Sequence, residues 1–71
     1  MLTSEEYLRE LILEAIIKKV SYFDTDDLYT ISRYTCRLSR AKLRKLQRFF
    51  ALSNIEDWTI GQVIDYIKKE D

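Results

Sequence analysis

One local pattern recurs four times along this chain and divides it into helices. At each place an apolar residue precedes a Thr, Asp or Ser, and a second apolar residue follows that polar residue by four positions. This is the hydrophobic staple around a helix N-cap: the polar side chain accepts a backbone N–H, and the apolar pair packs across the helix start. The four sets are Leu2-Thr3 with Tyr7, Phe23-Asp24 with Leu28, Leu38-Ser39 with Leu43, and Trp58-Thr59 with Val63.

These starts predict an all-α fold, a compact bundle of four short helices at residues 4–20, 25–36, 40–52 and 60–69. One Gly and no Pro suit helices and argue against an all-β fold. At 71 residues, we expect a single helical domain over 1–71. The apolar stripe slips in phase between Leu38 and Leu43, which indicates either a turn at residues 37–39 or one long bent helix.

The first predicted helix is apolar around most of its circumference. Such a helix is either the central element of the core or part of a homodimer interface, and the pattern leaves both open. Its apolar residues form two neighbouring stripes: Leu8, Leu11, Ile12, Ala15 and Ile16 in one, and Leu13, Ile17 and Val20 in the other.

Composition excludes several classes of function. Cys36 is the only cysteine, so no internal disulfide forms; we expect a cytoplasmic protein with Cys36 as a small, half-buried core residue. There is no His, no Gly-rich phosphate loop and no cluster with metal-ligand spacing, so we expect no enzyme activity, catalytic residue, metal, cofactor or small-molecule substrate. No segment approaches the roughly 20 apolar residues of a membrane span, so no membrane partner is expected.

Acidic and basic residues are segregated along the chain. Residues 28–55 hold seven bases and no acid, whereas the flanking segments carry net charges of −4 and −3. Two of these bases, Arg40 and Lys42, fall in the first turn of the third helix, where a cation is unfavourable by roughly 0.3–1 kcal/mol. A local rule broken in this way often indicates a binding surface. The alternative is an ordinary solvated face that pairs with the acidic helices.

The string TISRYTCRLSRAKLRKLQR resembles the helix-turn-helix of bacterial regulators. The resemblance lies in Ser32 in the first helix, Ser39 as N-cap, and the apolar Leu43 and Leu46. The chain departs from the pattern in two ways: its turn is one residue longer, and Cys36 or Arg37 stands where the motif has Gly. The resemblance implies that the third helix enters the DNA major groove.

We therefore predict a small regulatory protein that binds DNA through its basic third helix. Arg40, Arg44 and Gln47 would face the base edges, and the other basic residues would neutralise phosphates. The alternative is a protein–protein interaction module or inhibitor, using the basic ridge against an acidic protein surface or the apolar face of the first helix. The predicted nucleic-acid-binding residues are Arg33, Arg37, Arg40, Lys42, Arg44, Lys45, Gln47 and Arg48.

The tail TIGQVIDYIKK resembles the last helix of acyl carrier proteins, which also begins at a Thr cap. That family carries its prosthetic arm on an Asp-Ser-Leu at the start of its second helix. Here the only comparable Ser is in Leu38-Ser39-Arg40, within basic surroundings where the family is acidic. We therefore expect the likeness to be one of helix shape, which does not carry function.

Overall fold

Four helices begin directly after the predicted capping residues. The computed structural model describes residues 3–70, and its helices are α1 (Ser4–Lys19), α2 (Thr25–Thr35), α3 (Arg40–Leu52) and α4 (Ile60–Glu70). The predicted all-α bundle is confirmed, and each predicted boundary lies within one residue of the observed one. The Cα radius of gyration is 11.1 Å, which matches the roughly 11 Å expected for a compact chain of this length.

The caps explain why the helices start where they do. The Thr3 hydroxyl accepts the Glu6 N–H at 3.2 Å, and the Ser39 hydroxyl accepts the Lys42 N–H at 3.4 Å. α2 and α4 have full capping boxes, in which each side chain accepts the other residue's backbone N–H. These boxes join Asp24 with Asp27 and Thr59 with Gln62. The Leu2 half of the first predicted staple lies outside the described residues.

A turn separates α2 from α3, so the long bent helix is excluded. The N–H of Arg37 donates to the Tyr34 carbonyl at 3.1 Å, and the N–H of Leu38 to the Thr35 carbonyl at 3.2 Å. The expectation of a half-buried Cys36 is wrong, because this residue is exposed. Thr35 takes the core position one helical turn after Ile31 and is only 1% exposed. Its hydroxyl donates to the Ser32 carbonyl at 3.1 Å, so this buried polar group has a hydrogen-bond partner.

α1 is the central helix. It packs against both α3 and α2, and α4 packs against α2. α1 and α3 run parallel, since Glu5 and Arg40 meet at their starts and Lys19 meets Phe50 at their ends. The central-core interpretation of the first helix therefore accounts for most of its apolar surface, although Ile17 is 44% exposed. The buried core consists of Ile12, Ile16, Val20, Ile31, Leu38, Leu43, Leu46, Phe50, Ile55, Val63 and Ile67.

Candidate functional site

The basic face of α3 points away from the core. Leu43, Leu46 and Phe50 are fully buried on the opposite face. Gln47 is half-buried, because it lies one helical turn after Leu43 and beside the buried stripe. The bases of α3 are all exposed: Arg40, Lys42, Arg44, Lys45 and Arg48.

Arg40 has an ion-pair partner at the start of α1. Its Nε donates to Glu5 Oε1 at 3.1 Å, and its Nη2 lies 3.1 Å from the same oxygen. The backbone N–H of Glu5 and the Arg40 guanidinium hold the pKa of the Glu5 carboxyl below its ordinary value of 4.5. The basic start of α3 is therefore balanced by an acid that α1 supplies, and Arg40 is engaged within the fold.

Lys19 caps the far end of α3. Its ammonium donates to the carbonyls of Phe50 at 2.6 Å, Ala51 at 3.0 Å and Ser53 at 2.9 Å. The last carbonyls of a helix have no partner within it and carry partial negative charge. The α1 lysine bonds two of these carbonyls, those of Phe50 and Ala51, and its charge offsets the negative pole at this end of α3.

The predicted site residues do not all line the same cavity. Arg33 and Arg37 belong to α2 and the turn after it, where their guanidinium carbons lie 5.9 Å and 6.0 Å from the ring centroids of Tyr29 and Tyr34. They line a small cavity of about 100 Å³ together with Thr30 and Tyr34. The bases in the second half of α3 line a different and larger groove. The predicted bases therefore separate into an α2 group, the pair Arg40 and Lys42 at the start of α3, and a groove group, while the half-buried Gln47 lines neither cavity.

The larger groove lies between α3 and α4 and has a volume of about 540 Å³. Phe49 and Tyr66 stack at its floor, with ring centroids 4.3 Å apart and an interplanar angle of 11°. Leu52 stands at its edge and is 77% exposed. The residues that line it are Arg44, Lys45, Arg48, Phe49, Leu52, Ser53 and Tyr66.

Two of the three cations around this groove have no acidic partner among the described residues. Lys45 Nζ lies 3.4 Å from Glu70 Oε1. No ion pair within residues 3–70 involves Arg44 or Arg48. These two arginines stand one helical turn apart, and Leu52 continues their row by a further turn. The groove thus combines unneutralised positive charge with exposed apolar surface.

Sequence reasoning found the cations of this groove and missed its apolar part. The spacing could have identified Leu52, because a leucine four residues after Arg48 and eight after Arg44 falls on the solvent-exposed face of the helix. By its spacing Phe49 falls on the same side of the helix as Leu43, Leu46 and Phe50, which predicts burial. Tyr66 lies on a different helix. Nothing in the sequence places Tyr66 against Phe49.

Comparison with known proteins adds no family to this picture. No protein-family model, curated protein or solved structure matches the chain. No helix in the described part of the chain has the length and apolar character that a membrane crossing requires. Across residues 3–70, three or more His, Cys, Asp or Glu side chains nowhere gather as metal ligands would.

Proposed function

We propose that this protein is a binding module that takes an acidic segment of another protein on the outer face of α3. The observation that carries the proposal is the groove itself, where Arg44, Lys45 and Arg48 surround an apolar floor. Protein interfaces combine an apolar centre with a polar rim, and arginine and aromatic residues are enriched in them. A positive rim also steers an acidic partner toward the surface and selects against basic ones.

DNA binding is the second candidate, and it stays a prediction. Its support is the exposed row of Arg44 and Arg48, which could neutralise phosphates as readily as carboxylates. Two observations make it the weaker candidate. Arg40, which would lead the base contacts, is paired with Glu5. Within residues 3–70 the main packed helix pairs are α1–α3, α2–α4 and α1–α2, whereas a helix-turn-helix packs its two helices together.

An NMR titration of the isotope-labelled protein tests both candidates. The two probes are a synthetic acidic amphipathic peptide and a random-sequence DNA duplex, each at low and at physiological ionic strength. We expect the peptide to shift the amides from Arg44 to Ser53 and of Tyr66, with weaker binding at higher salt because the rim is exposed. If only the DNA causes shifts, nucleic-acid binding would replace protein binding as the proposed function. No shifts from the peptide at low salt would overturn the proposal.

A pair of charge-matched variants sharpens the result. Arg44→Gln with Arg48→Gln removes two cations from the groove, and Lys18→Gln with Arg33→Gln removes two exposed cations that do not line it. We expect the first variant to lose most peptide binding and the second to keep it. Equal losses in the two variants would mean that only the net charge of the protein matters.

A further inference from the structure

The groove has features that a purely electrostatic surface does not need. Phe49 and Tyr66 are supported from the sides by two further rings. Phe50 lies edge-on to Phe49 at a centroid distance of 5.3 Å, and Trp58 lies 5.8 Å from Phe49 and 6.0 Å from Tyr66. Phe50 and Trp58 do not line the groove, but they hold the two rings of its floor in place before anything binds. Preformed surfaces bind more tightly because little ordering is required on association.

Leu52 adds apolar surface that the fold itself leaves uncovered. Among the exposed large hydrophobic side chains of the described residues, it is the most exposed aliphatic one, at 77% against 44% for Ile17. It stands at the edge of the same floor. An apolar side chain placed between Leu52 and the stacked rings would be covered on two sides.

The positions of the charges indicate what surrounds that apolar side chain. Lys45 already holds a carboxylate from α4, and this pair is open to solvent on the lysine side, with 67% of the Lys45 side chain exposed. Glu70 is only 18% exposed, so the carboxylates of a partner are left to pair with Arg44 and Arg48. Arg44 and Arg48 follow the i, i+4 spacing, which matches carboxylates one turn apart on a second helix. The Lys19 ammonium offsets the partial negative charge at the end of α3, which reduces the repulsion of an anion there.

We infer that the groove binds an acidic amphipathic helix of another protein through one large apolar anchor residue. The anchor is seated between Leu52 and the Phe49–Tyr66 floor, and carboxylates spaced one turn apart on the same helix pair with Arg44 and Arg48. The lining residues of α3 run from Arg44 to Leu52, about 12 Å at 1.5 Å per residue, which is just over two helical turns. This inference rests on the proposed function and specifies the partner's chemistry.

Two synthetic acidic helices test it: they share one sequence except at a central position, which is Phe in one and Ala in the other. We measure the affinity of each for the wild-type protein, for Leu52→Gln and for Tyr22→Gln. Tyr22 is 81% exposed and does not line the groove, so it is a matched control for loss of exposed apolar surface. Gln is a good helix former at position 52, the last of α3, and Tyr22 lies outside the helices, between α1 and α2. Circular dichroism checks that both variants keep the native helical content.

We expect the Phe peptide to bind the wild-type protein at least about tenfold more tightly than the Ala peptide, as a buried aromatic anchor does. Leu52→Gln should remove most of this preference, and Tyr22→Gln should keep it. Equal affinity of the two peptides, with shifts along α3, would overturn the anchor and leave the proposed function standing. Failure of both peptides to bind at low salt would overturn the two together.

Discussion

The Lys19 ammonium lies 2.6 Å from the carbonyl oxygen of Phe50, 31 residues further along the chain. This contact joins the end of α1 to the end of α3, while Glu5 and Arg40 join their starts. Parallel neighbouring helices place like poles side by side, which is unfavourable. Here α1 supplies both compensating side chains: Glu5 places an acid beside the start of α3, and Lys19 places a cation at its end, so the parallel pair at the centre of the fold is stabilised at both ends.

The first prediction concerns the Lys19 contact. Lys19→Met keeps the long apolar stem and removes the ammonium, leaving three carbonyls without their donor. We expect a loss of about 1–2 kcal/mol in the free energy of unfolding, since hydrogen bonds from a charged donor contribute more to stability than the average hydrogen bond. Chemical denaturation measures it. Lys18→Met, at the neighbouring exposed position, should change stability by less than about 0.5 kcal/mol; equal effects would mean that the ammonium has no specific role.

The second prediction concerns pH and the pair of Glu5 with Arg40. The pKa of Glu5 is lower in the folded protein than its ordinary value of 4.5. Its contribution to stability is therefore present above that ordinary value and is lost as the pH falls through the lower folded pKa. In an NMR titration of the carboxyl groups, Arg40→Gln should raise the Glu5 pKa only part of the way, because the backbone N–H of Glu5 remains.

Arg44→Gln is the control for this titration. It removes the same charge from the same helix, but Arg44 has no ion pair with Glu5. We expect the Glu5 pKa to stay where it is in the wild-type protein. A similar rise in both variants would show that the overall charge of α3, and not the contact, lowers this pKa.

The third prediction concerns the start of α2. Asp24→Ala removes the side-chain half of the capping box, because the Asp24 carboxylate accepts the Asp27 N–H at 3.0 Å. The backbone N–H of residue 24, which donates to the Asp27 carboxylate at 3.1 Å, remains in the variant. We expect a loss of about 1 kcal/mol in the free energy of unfolding. Asp26→Ala removes a charge from the same turn without touching the box and should cost only about 0.3–0.5 kcal/mol. Thermal unfolding of the two variants compares them, and a larger effect of Asp26→Ala would contradict the capping role.

The fourth prediction concerns the stacked rings that join α3 to α4. A double-mutant cycle of Phe49→Leu and Tyr66→Leu should give a coupling of about 0.5–1.5 kcal/mol, because stacked aromatic pairs contribute beyond the area they bury. The same cycle with Phe49→Leu and Tyr29→Leu is the control, since Tyr29 is 65% exposed on α2. That pair should be additive within about 0.5 kcal/mol. An additive result for Phe49 and Tyr66 would mean that their stacking carries no energy of its own.

The sequence predicted the charged part of the candidate site. The segment without acids identified Arg44, Lys45 and Arg48, because charge and helical spacing can be read directly from the sequence. It also suggested a functional role for the base at the start of α3, but Arg40 has a partner in Glu5. The broken dipole rule at Arg40 thus has a structural explanation, which the sequence could not show because the two residues are 35 positions apart.

The sequence by itself determined where each helix of this protein begins. A cap acts between residues three positions apart, as from Thr59 to Gln62, so its chemistry is complete within one turn and needs no other part of the chain. Only the tertiary structure decided that α1 and α3 lie parallel, that Lys19 closes the end of α3, and that Tyr66 meets Phe49 to make the groove floor. Those relationships depend on how the apolar stripes of four helices pack against one another. Packing joins residues far apart in the sequence, so no single helix determines it.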